Sequence, residues 1–373
     1  MKLHLGPPPQ NLLKGEIRIT GSKSESNRLL LLQALYPNIE IDNLSNSDDA
    51  QLMQKGLPIE NGTVDIHHAG TAMRFLTSYF ASQEGKEIVL TGSKRMTERP
   101  VKVLVDALRS LGANIEYAQN EGYPPLIIKG KKLVENKVGI PANISSQYIS
   151  SLLMIAPNLE NGLELELVGE ITSVPYIKMT LALLDQIGVK NSFEGNLIKI
   201  GARASVEKTK LVVESDWSSA SYFFSIVALS DVGSEIVLSS YKKNSLQGDS
   251  VLAEIYKDFG LETIFSDDCI LIQKKITCPL ETVHCELANA PDLAQTIAVT
   301  CFGLGIGCHL TGLHTLKIKE TDRLEALHTE LSKLGANISV TDKSLTITPS
   351  VAIKSGVSID TYNDHRMAMA FAP

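Results

Sequence analysis

A unit of about 75 residues recurs along this 373-residue chain, which restricts it to folds that stack similar pieces. One recurring piece is an amphipathic helix ending in an apolar-Gly pair: Val101 to Gly112, Tyr176 to Gly188, Leu252 to Gly260 and Leu324 to Gly335. The closing glycines are 76, 72 and 75 residues apart, and each suits the position just past a helix C-terminus. A hairpin-like stretch follows. Ile338-Ser339-Val340 and Leu345-Thr346-Ile347 flank Thr341-Asp342-Lys343-Ser344, and Asn191 to Ile200 reads alike around Glu194-Gly195-Asn196.

The second piece is a short polar cluster opening an almost wholly apolar helix. Copies start at Ser22 to Arg28, Gly70 to Arg74, Ser145 to Gln147, Asp216 to Ser219, Pro291-Asp292 and Asn363 to Arg366. With Gly70, Ser145, Trp217, Asp292 and His365 as markers, the spacings are 75, 72, 75 and 73. A helix apolar on all sides is a buried helix. Each unit is therefore expected to hold one buried helix, one amphipathic helix and several strands. Six copies are counted, and the sixth stops at Pro373 with its buried helix alone, roughly 40 residues short of the period. Lys, Arg, Ser and Asp at the openings of apolar helices argue against a purely structural repeat, because burying them without partners is costly.

Composition narrows the class. Apolar residues make up 43% and charged residues 21%, enough for real cores and for two or three domains. A net charge of −7 argues against a nucleic-acid or anionic-membrane partner. No apolar run approaches the ~18 residues of a membrane span, and Met1 to Pro9 lacks the apolar core of a signal peptide. A cytoplasmic protein is expected. All five cysteines lie between Cys269 and Cys308 without a Cys-x-x-Cys pair, which suits free thiols in a reducing compartment. Cys278, His284, Cys285, Cys301 and Cys308 do not match a zinc framework, and His67-His68 have no partner ligands, so no metal is expected.

The chemistry sits at the helix openings. In Gly21-Ser22-Lys23-Ser24-Glu25-Ser26-Asn27-Arg28, free N–H groups, hydroxyls, Lys23 and Arg28 make an anion site, although a Walker loop would need Gly directly before Lys. Ser145-Ser146-Gln147 suits phosphate, but taken alone it better fits an ordinary Ser cap. Lys319 and Arg323 are four apart and Glu320 and Arg323 three apart, so they share a face if the helix's first turn includes them. Two basic residues there oppose the helix dipole unless an anion is present. Asn363-Asp364-His365-Arg366 sends an Arg into a wholly apolar helix. Arg99 stands at another helix start, and Asp292 is a carboxylate in the equivalent place in the fifth unit.

Taken together, these segments resemble the 3-phosphoshikimate 1-carboxyvinyltransferase (EPSP synthase) family of enolpyruvyl transferases. The matches run in order along nearly the whole chain: Gly21 to Arg28, Ala69-Gly70-Thr71-Ala72-Met73-Arg74, Glu98-Arg99-Pro100, Ser145-Ser146-Gln147, Lys319 to Arg323 and Tyr362 to Met369. The resemblance implies an α/β fold: a two-domain inside-out α/β barrel with three βαβαββ units per domain, the sixth truncated here. One domain would span 1–20 plus 215–373 and the other 21–214, with the active site in the interdomain cleft.

The implied reaction moves the enolpyruvyl group of phosphoenolpyruvate to the 5-hydroxyl of shikimate 3-phosphate, with no cofactor or metal. The implied shikimate 3-phosphate site is Lys23, Ser24, Arg28, Ser145, Ser146, Gln147, Ser173, Asp292 and Lys319. Lys23, Gly70, Arg99, Gln147, Arg323 and Arg366 would line the phosphoenolpyruvate site. Asp292 would take the hydroxyl proton, with Glu320 and Lys23 handling protons at the methylene. These two small molecules are the expected partners of a monomer. The sequence departs from the family at His68, where Asn is usual, at Phe75, where Pro is common, and at Thr315, where a shikimate-binding Asn is usual. A further phosphoenolpyruvate-binding Lys belongs to the family's last unit. Enolpyruvyl transfer to a UDP-sugar would use the same architecture, but that family carries a Cys in the loop corresponding to Lys94 to Arg99. A non-enzyme that only binds shikimate 3-phosphate is the remaining alternative.

Overall fold

The computed structural model describes residues 12–171, 174–350 and 352–373. The chain divides into two compact units, one of 1–19 plus 215–373 and one of 20–214. Four four-stranded sheets share one strand order. In the 20–214 unit, Asn61–Asp65 pairs parallel with Glu87–Thr91, which pairs antiparallel with Leu126–Lys129, and Asn114–Tyr117 closes the edge. Lys137–Pro141, Leu163–Val168, Leu197–Ile200 and Asn191–Glu194 repeat that order. A parallel pair, Ile39–Asp42 with Thr209–Val212, brings the two ends of this unit together.

The other unit holds two sheets of the same kind: Lys14–Arg18, Glu235–Ser239, Cys269–Lys274 and Leu261–Phe265, then Thr282–Glu286, Gly307–Thr311, Leu345–Ile347 and Ile338–Val340. Lys14–Arg18 pairs in parallel with Glu235–Ser239 across more than two hundred residues. That one pairing makes the unit discontinuous in sequence. The mixed α/β architecture is thus as the sequence predicts.

A buried helix follows one strand of each parallel pair. Lys23–Leu35, Gly70–Ala81, Ser146–Ile155, Trp217–Leu229 and Ala294–Gly303 are nearly buried throughout. Small hydroxyl side chains at equivalent repeat positions let these helices approach closely and satisfy one another. Ser78 bonds Ser151 at 2.9 Å, Ser221 bonds Thr296 at 3.0 Å, and Thr300 bonds Ser225 at 2.8 Å, pairs separated by 73, 75 and 75 residues. A hydroxyl buried in such a core would be costly without its partner.

The structure departs from expectation in two elements. The predicted helix from Leu252 breaks into Gly248–Val251 (3₁₀), Leu252–Ile255 (α) and Tyr256–Phe259 (3₁₀). In a 3₁₀ turn residues three apart eclipse, so the Tyr256 and Phe259 rings both reach the core, 4.7 Å apart. The His365–Phe371 helix, predicted to be buried on every face, buries only Met367 and Ala370, while Met369 is 44% exposed. Its contacts are to the Ala294–Gly303 and Arg323–Leu334 helices, which cover one face.

Gly112, Gly188, Gly260 and Gly335 all have left-handed φ, between 76° and 102°. At Gly260 an added Cβ would also lie 2.3 Å from the Ile276 carbonyl oxygen, whereas at Gly195, also left-handed, it would meet nothing. Gly195→Ala is therefore expected to cost only the left-handed backbone penalty, about 1–2 kcal/mol. Gly260→Ala should cost at least about 1 kcal/mol more for the overlap. Urea unfolding of both variants checks the ranking, and equal losses would contradict it.

Candidate active site

The Lys23–Leu35 helix opens at Ser22, whose side chain makes no capping hydrogen bond. Lys23 and Ser24 are half-buried there, and Lys23 forms no ion pair among the described residues. One turn on, Arg28 is 2% exposed. Its guanidinium donates to Thr180 Oγ1, the Ser24 carbonyl and Ser150 Oγ, each at 2.8 Å. It also lies 5.5 Å from the Phe75 ring centre and 5.8 Å from that of Tyr176. Phe75 therefore gives the buried cation an aromatic face, and the Gly70–Ala81 helix runs unbroken through it. Every one of these partners is uncharged. Burial pushes the Arg28 guanidinium down to about 10, and attraction to Tyr176 and Glu25 offsets only part of that. A cation held this way favours an incoming anion.

A second opening lies at Gly70. Its predecessor Ala69 has no side chain that could cap the helix. Arg99 lies directly over Gly70: a Cβ there would stand 2.6 Å from Arg99 Nη1. A larger residue there would push the end of the Arg99 side chain aside. Arg74 reaches the Gly70 carbonyl at 3.0 Å and that of Pro100 at 3.3 Å. Burial first, and then the neighbouring Arg99 charge, lower its pKa. Asp49 accepts the Thr71 amide at 3.3 Å. Gln147 Nε2 donates to Thr71 Oγ1 at 3.3 Å, joining the Ser145-Ser146-Gln147 opening to this one. There Ser145 accepts from Gln147 N at 3.3 Å, an ordinary cap, and Ser146 is buried. His67 and His68 stand edge to face at an exposed bend, with Nδ1 atoms 2.6 Å apart and His68 Nε2 3.5 Å from Asp48. Ser173 lies outside the described residues.

In the unit of 1–19 plus 215–373, Asp292 meets three cations: Arg323 Nη1 at 2.8 Å, Arg366 Nη2 at 3.3 Å and Lys319 Nζ at 3.5 Å. Arg323 in turn bonds Asp364 at 2.7 Å and Glu320 at 2.8 Å. The helix starts at Arg323 with Asp322 as its cap, so Lys319 and Glu320 precede it and do not share its first turn. Arg323 is 1% exposed, so this is a buried helix start. A guanidinium that deep is costly to bury without partners, and here three carboxylates supply them. Arg323 is thus already committed, where the resemblance gives it a ligand. Burial alone would lower the pKa of Arg366, but Asp292, Tyr222, Asp249 and Asp216 outweigh it and hold the group well above its ordinary value. Thr315 Oγ1 is buried with no hydrogen-bond partner among the described residues.

Sequence reasoning missed three residues here. Asp364 caps the last helix by accepting Arg366 N at 2.8 Å while holding Arg323. Arg74 and Asp364 both stood inside quoted motifs without a role. Asp249, in the Gly248–Val251 turn, accepts a short bond from the Ser218 hydroxyl and had no motif to mark it.

Uncapped helix starts crowded with guanidinium groups, together with a carboxylate ringed by cations, describe an α/β protein equipped for small polyanions. Comparison with known proteins gives the family. A family model described as EPSP synthase (3-phosphoshikimate 1-carboxyvinyltransferase) matches residues 54–372. A Bacteroides fragilis (strain YCH46) protein named 3-phosphoshikimate 1-carboxyvinyltransferase is 44% identical over 376 residues, spanning 100% of this chain and 90% of its own length. A protein of the same name from Colwellia psychrerythraea is 39% identical, over 98% of this chain and 91% of its own. A solved EPSP synthase from Acinetobacter baumannii shares the fold with a TM-score of 0.79 at 22% identity, covering 98% of this chain and 89% of that one. The chain belongs to the EPSP synthase family. No helix among the described residues is long and apolar enough to cross a membrane.

Asp249 carries a pH signature. Burial first, then the Asp292 charge, raise its carboxyl from 3.8 to about 6, with Arg366 and the Ser218 bond offsetting part of the rise. A raised carboxyl binds its proton more tightly in the folded chain, so its stabilising contribution is full below its unfolded value and is lost as pH rises through about 6. Asp249→Asn removes that titration. Between about pH 4 and pH 7, urea midpoints should move in favour of the variant, relative to the parent, by on the order of 2 kcal/mol. An unchanged difference across that range would refute the buried titration.

Proposed function

We propose that this chain transfers the enolpyruvyl group of phosphoenolpyruvate to the 5-hydroxyl of shikimate 3-phosphate, releasing phosphate and 5-enolpyruvylshikimate 3-phosphate, a step of the shikimate pathway. The observation that carries the reading is the pair of uncapped, cation-bearing helix starts at Lys23 and Gly70 in a member of this family. In this reading the fold is an inside-out α/β barrel with three βαβαββ units to a domain. The protein works as a cytoplasmic monomer on two small-molecule substrates.

Lys23, Ser24 and Arg28 hold the shikimate phosphate, completed by Ser145, Ser146, Gln147, Ser173 and Lys319. Lys23, Gly70, Arg99, Gln147, Arg323 and Arg366 line the phosphoenolpyruvate side. Arg99 over Gly70 is suited to a phosphate at the helix start, where N–H groups and the helix dipole add to its charge. Asp292 takes the proton of the attacking hydroxyl, and the oxygen bonds to C2 of phosphoenolpyruvate. Glu320 or Lys23 delivers a proton to the methylene carbon. Loss of phosphate from the resulting tetrahedral adduct, with removal of a methyl proton, restores the double bond. The reaction balances with the two substrates alone, by general acid–base help and electrostatic stabilisation.

A phosphate-release assay with both substrates tests the reading. Release only with a UDP-sugar acceptor, or none at all, would overturn it. Asp292→Asn should keep near-normal shikimate 3-phosphate affinity and lose roughly 10²–10⁴-fold in turnover; full turnover would move the base elsewhere. Arg28→Ala should weaken shikimate 3-phosphate binding by about 1.5–3 kcal/mol by calorimetry, the value of a charged contact. A loss under ~1 kcal/mol would argue against a direct contact.

A further inference from the structure

Beyond the binding groups themselves lies a strap that sets their position. From Lys354 to Asp364 the chain runs back along the Arg323–Leu334 helix and is tied to it at three heights. Lys354 N donates to the Leu334 carbonyl at 2.9 Å. In the middle, the Tyr362 hydroxyl donates to Glu330 Oε1 at 2.6 Å and Asp360 N donates to Glu330 Oε2 at 3.1 Å. At the helix start, Asp364 takes Arg323 Nε at 2.7 Å. Glu330 and Arg323 are seven positions apart, so they stand on one face about 10 Å apart along the axis. Lys333 secures the middle tie by bonding both Glu330 and Asp360, at 2.8 and 2.9 Å.

Between the middle tie and the helix start, the backbone is in a costly conformation. Tyr362 and Asn363 have φ of 56° and 52°, two successive non-glycine residues in the left-handed region. Such strain persists only where the surroundings over-determine it. Asp364 and Arg366 follow at once, the first holding Arg323 and the second holding Asp292.

We propose that Tyr362 is a positioning residue: its bond to the buried Glu330 holds the strained Tyr362-Asn363 turn, and the turn sets Arg366 against Asp292. The proposal rests on the functional reading above for what Arg366 binds, the anionic end of phosphoenolpyruvate. Without the Tyr362 bond the turn relaxes toward right-handed φ, and the segment carrying Asp364 and Arg366 turns with it. The Arg366 guanidinium then spends part of its time away from the site.

Tyr362→Phe deletes that bond and keeps the ring, which is 39% exposed, so the core is undisturbed. Steady-state kinetics should show KM for phosphoenolpyruvate raised about tenfold, with KM for shikimate 3-phosphate and kcat each within about threefold. Glycine takes left-handed φ at little cost, so adding Asn363→Gly to Tyr362→Phe should recover most of the loss. A merely structural tie would lower the melting temperature and leave KM for phosphoenolpyruvate unchanged, which would overturn the proposal, as would equal rises in both KM values. Calorimetric titration of phosphoenolpyruvate into parent and variant, without shikimate 3-phosphate so that no reaction runs, gives a readout independent of turnover. Equal affinities there overturn the strap even if the parent is active, whereas an inactive parent overturns the functional reading instead.

Discussion

Arg323 is 1% exposed, and its pairing with three carboxylates organises the 215–373 segment. Asp292 comes from the start of one buried helix, Glu320 from the turn before Arg323's own helix, and Asp364 from the cap of the last helix. One side chain therefore fixes three backbone segments at once. Asp292, held on one side by Arg323, is held on the others by Arg366 and Lys319. Three carboxylates and three cations balance, so the cluster is close to neutral and can be buried.

The 20–214 unit treats its buried arginines differently. Arg28 is surrounded by hydroxyls, carbonyls and aromatic faces, and its burial is registered as a depressed pKa. Arg74 is lowered by burial and by the adjacent Arg99. Folding leaves this positive charge only partly compensated, at a cost in stability that a bound anion would repay in affinity. A deficit of negative charge in one unit and a balanced cluster in the other suit different tasks. In the proposed function, the first attracts phosphate, while the second orders a carboxylate for proton transfer.

Much of this was legible in the chain. The period, the buried helices, the hairpins at Asn191 to Ile200 and Ile338 to Ile347, and the left-handed glycines follow from local pattern, because one apolar helix face or one turn type decides them. The cations at the helix openings were legible for the same reason. What was not legible depended on partners distant in sequence. Nothing near Arg323 announces that it will be enclosed, since Asp292 and Asp364 lie 31 and 41 positions away. Asp249 sits in a turn without a motif, and its character comes wholly from Asp292, Arg366 and Ser218. Phe75, read as a departure from the family, has a clear purpose once Arg28 is seen above its ring. The broken helix at Leu252 was misread because periodicity marks which residues point inward, and a 3₁₀ turn meets the same demand as an α turn.

The repeat also shows how a packing scheme becomes a binding site. Each unit needs a buried helix, and each such helix begins with N–H groups that must be satisfied. Three helices solve this with their own side chains: Ser145, Asp216 and Asp364 accept from the amides of Gln147, Ser219 and Arg366. Two of the others do not. Ser22 leaves the Lys23 helix without a side-chain cap, and Ala69 has none to offer the Gly70 helix. The starts at Lys23 and Gly70 are also where Lys23, Arg28, Arg74 and Arg99 gather. In a fold that requires only packing, losing the cap and adding positive charge at the same two starts would compound each other's cost. Both costs are offset by one event, the arrival of an anion that accepts from the open amides and neutralises the cations. In the proposed function, the two uncapped starts that carry cations are the ones left for ligand.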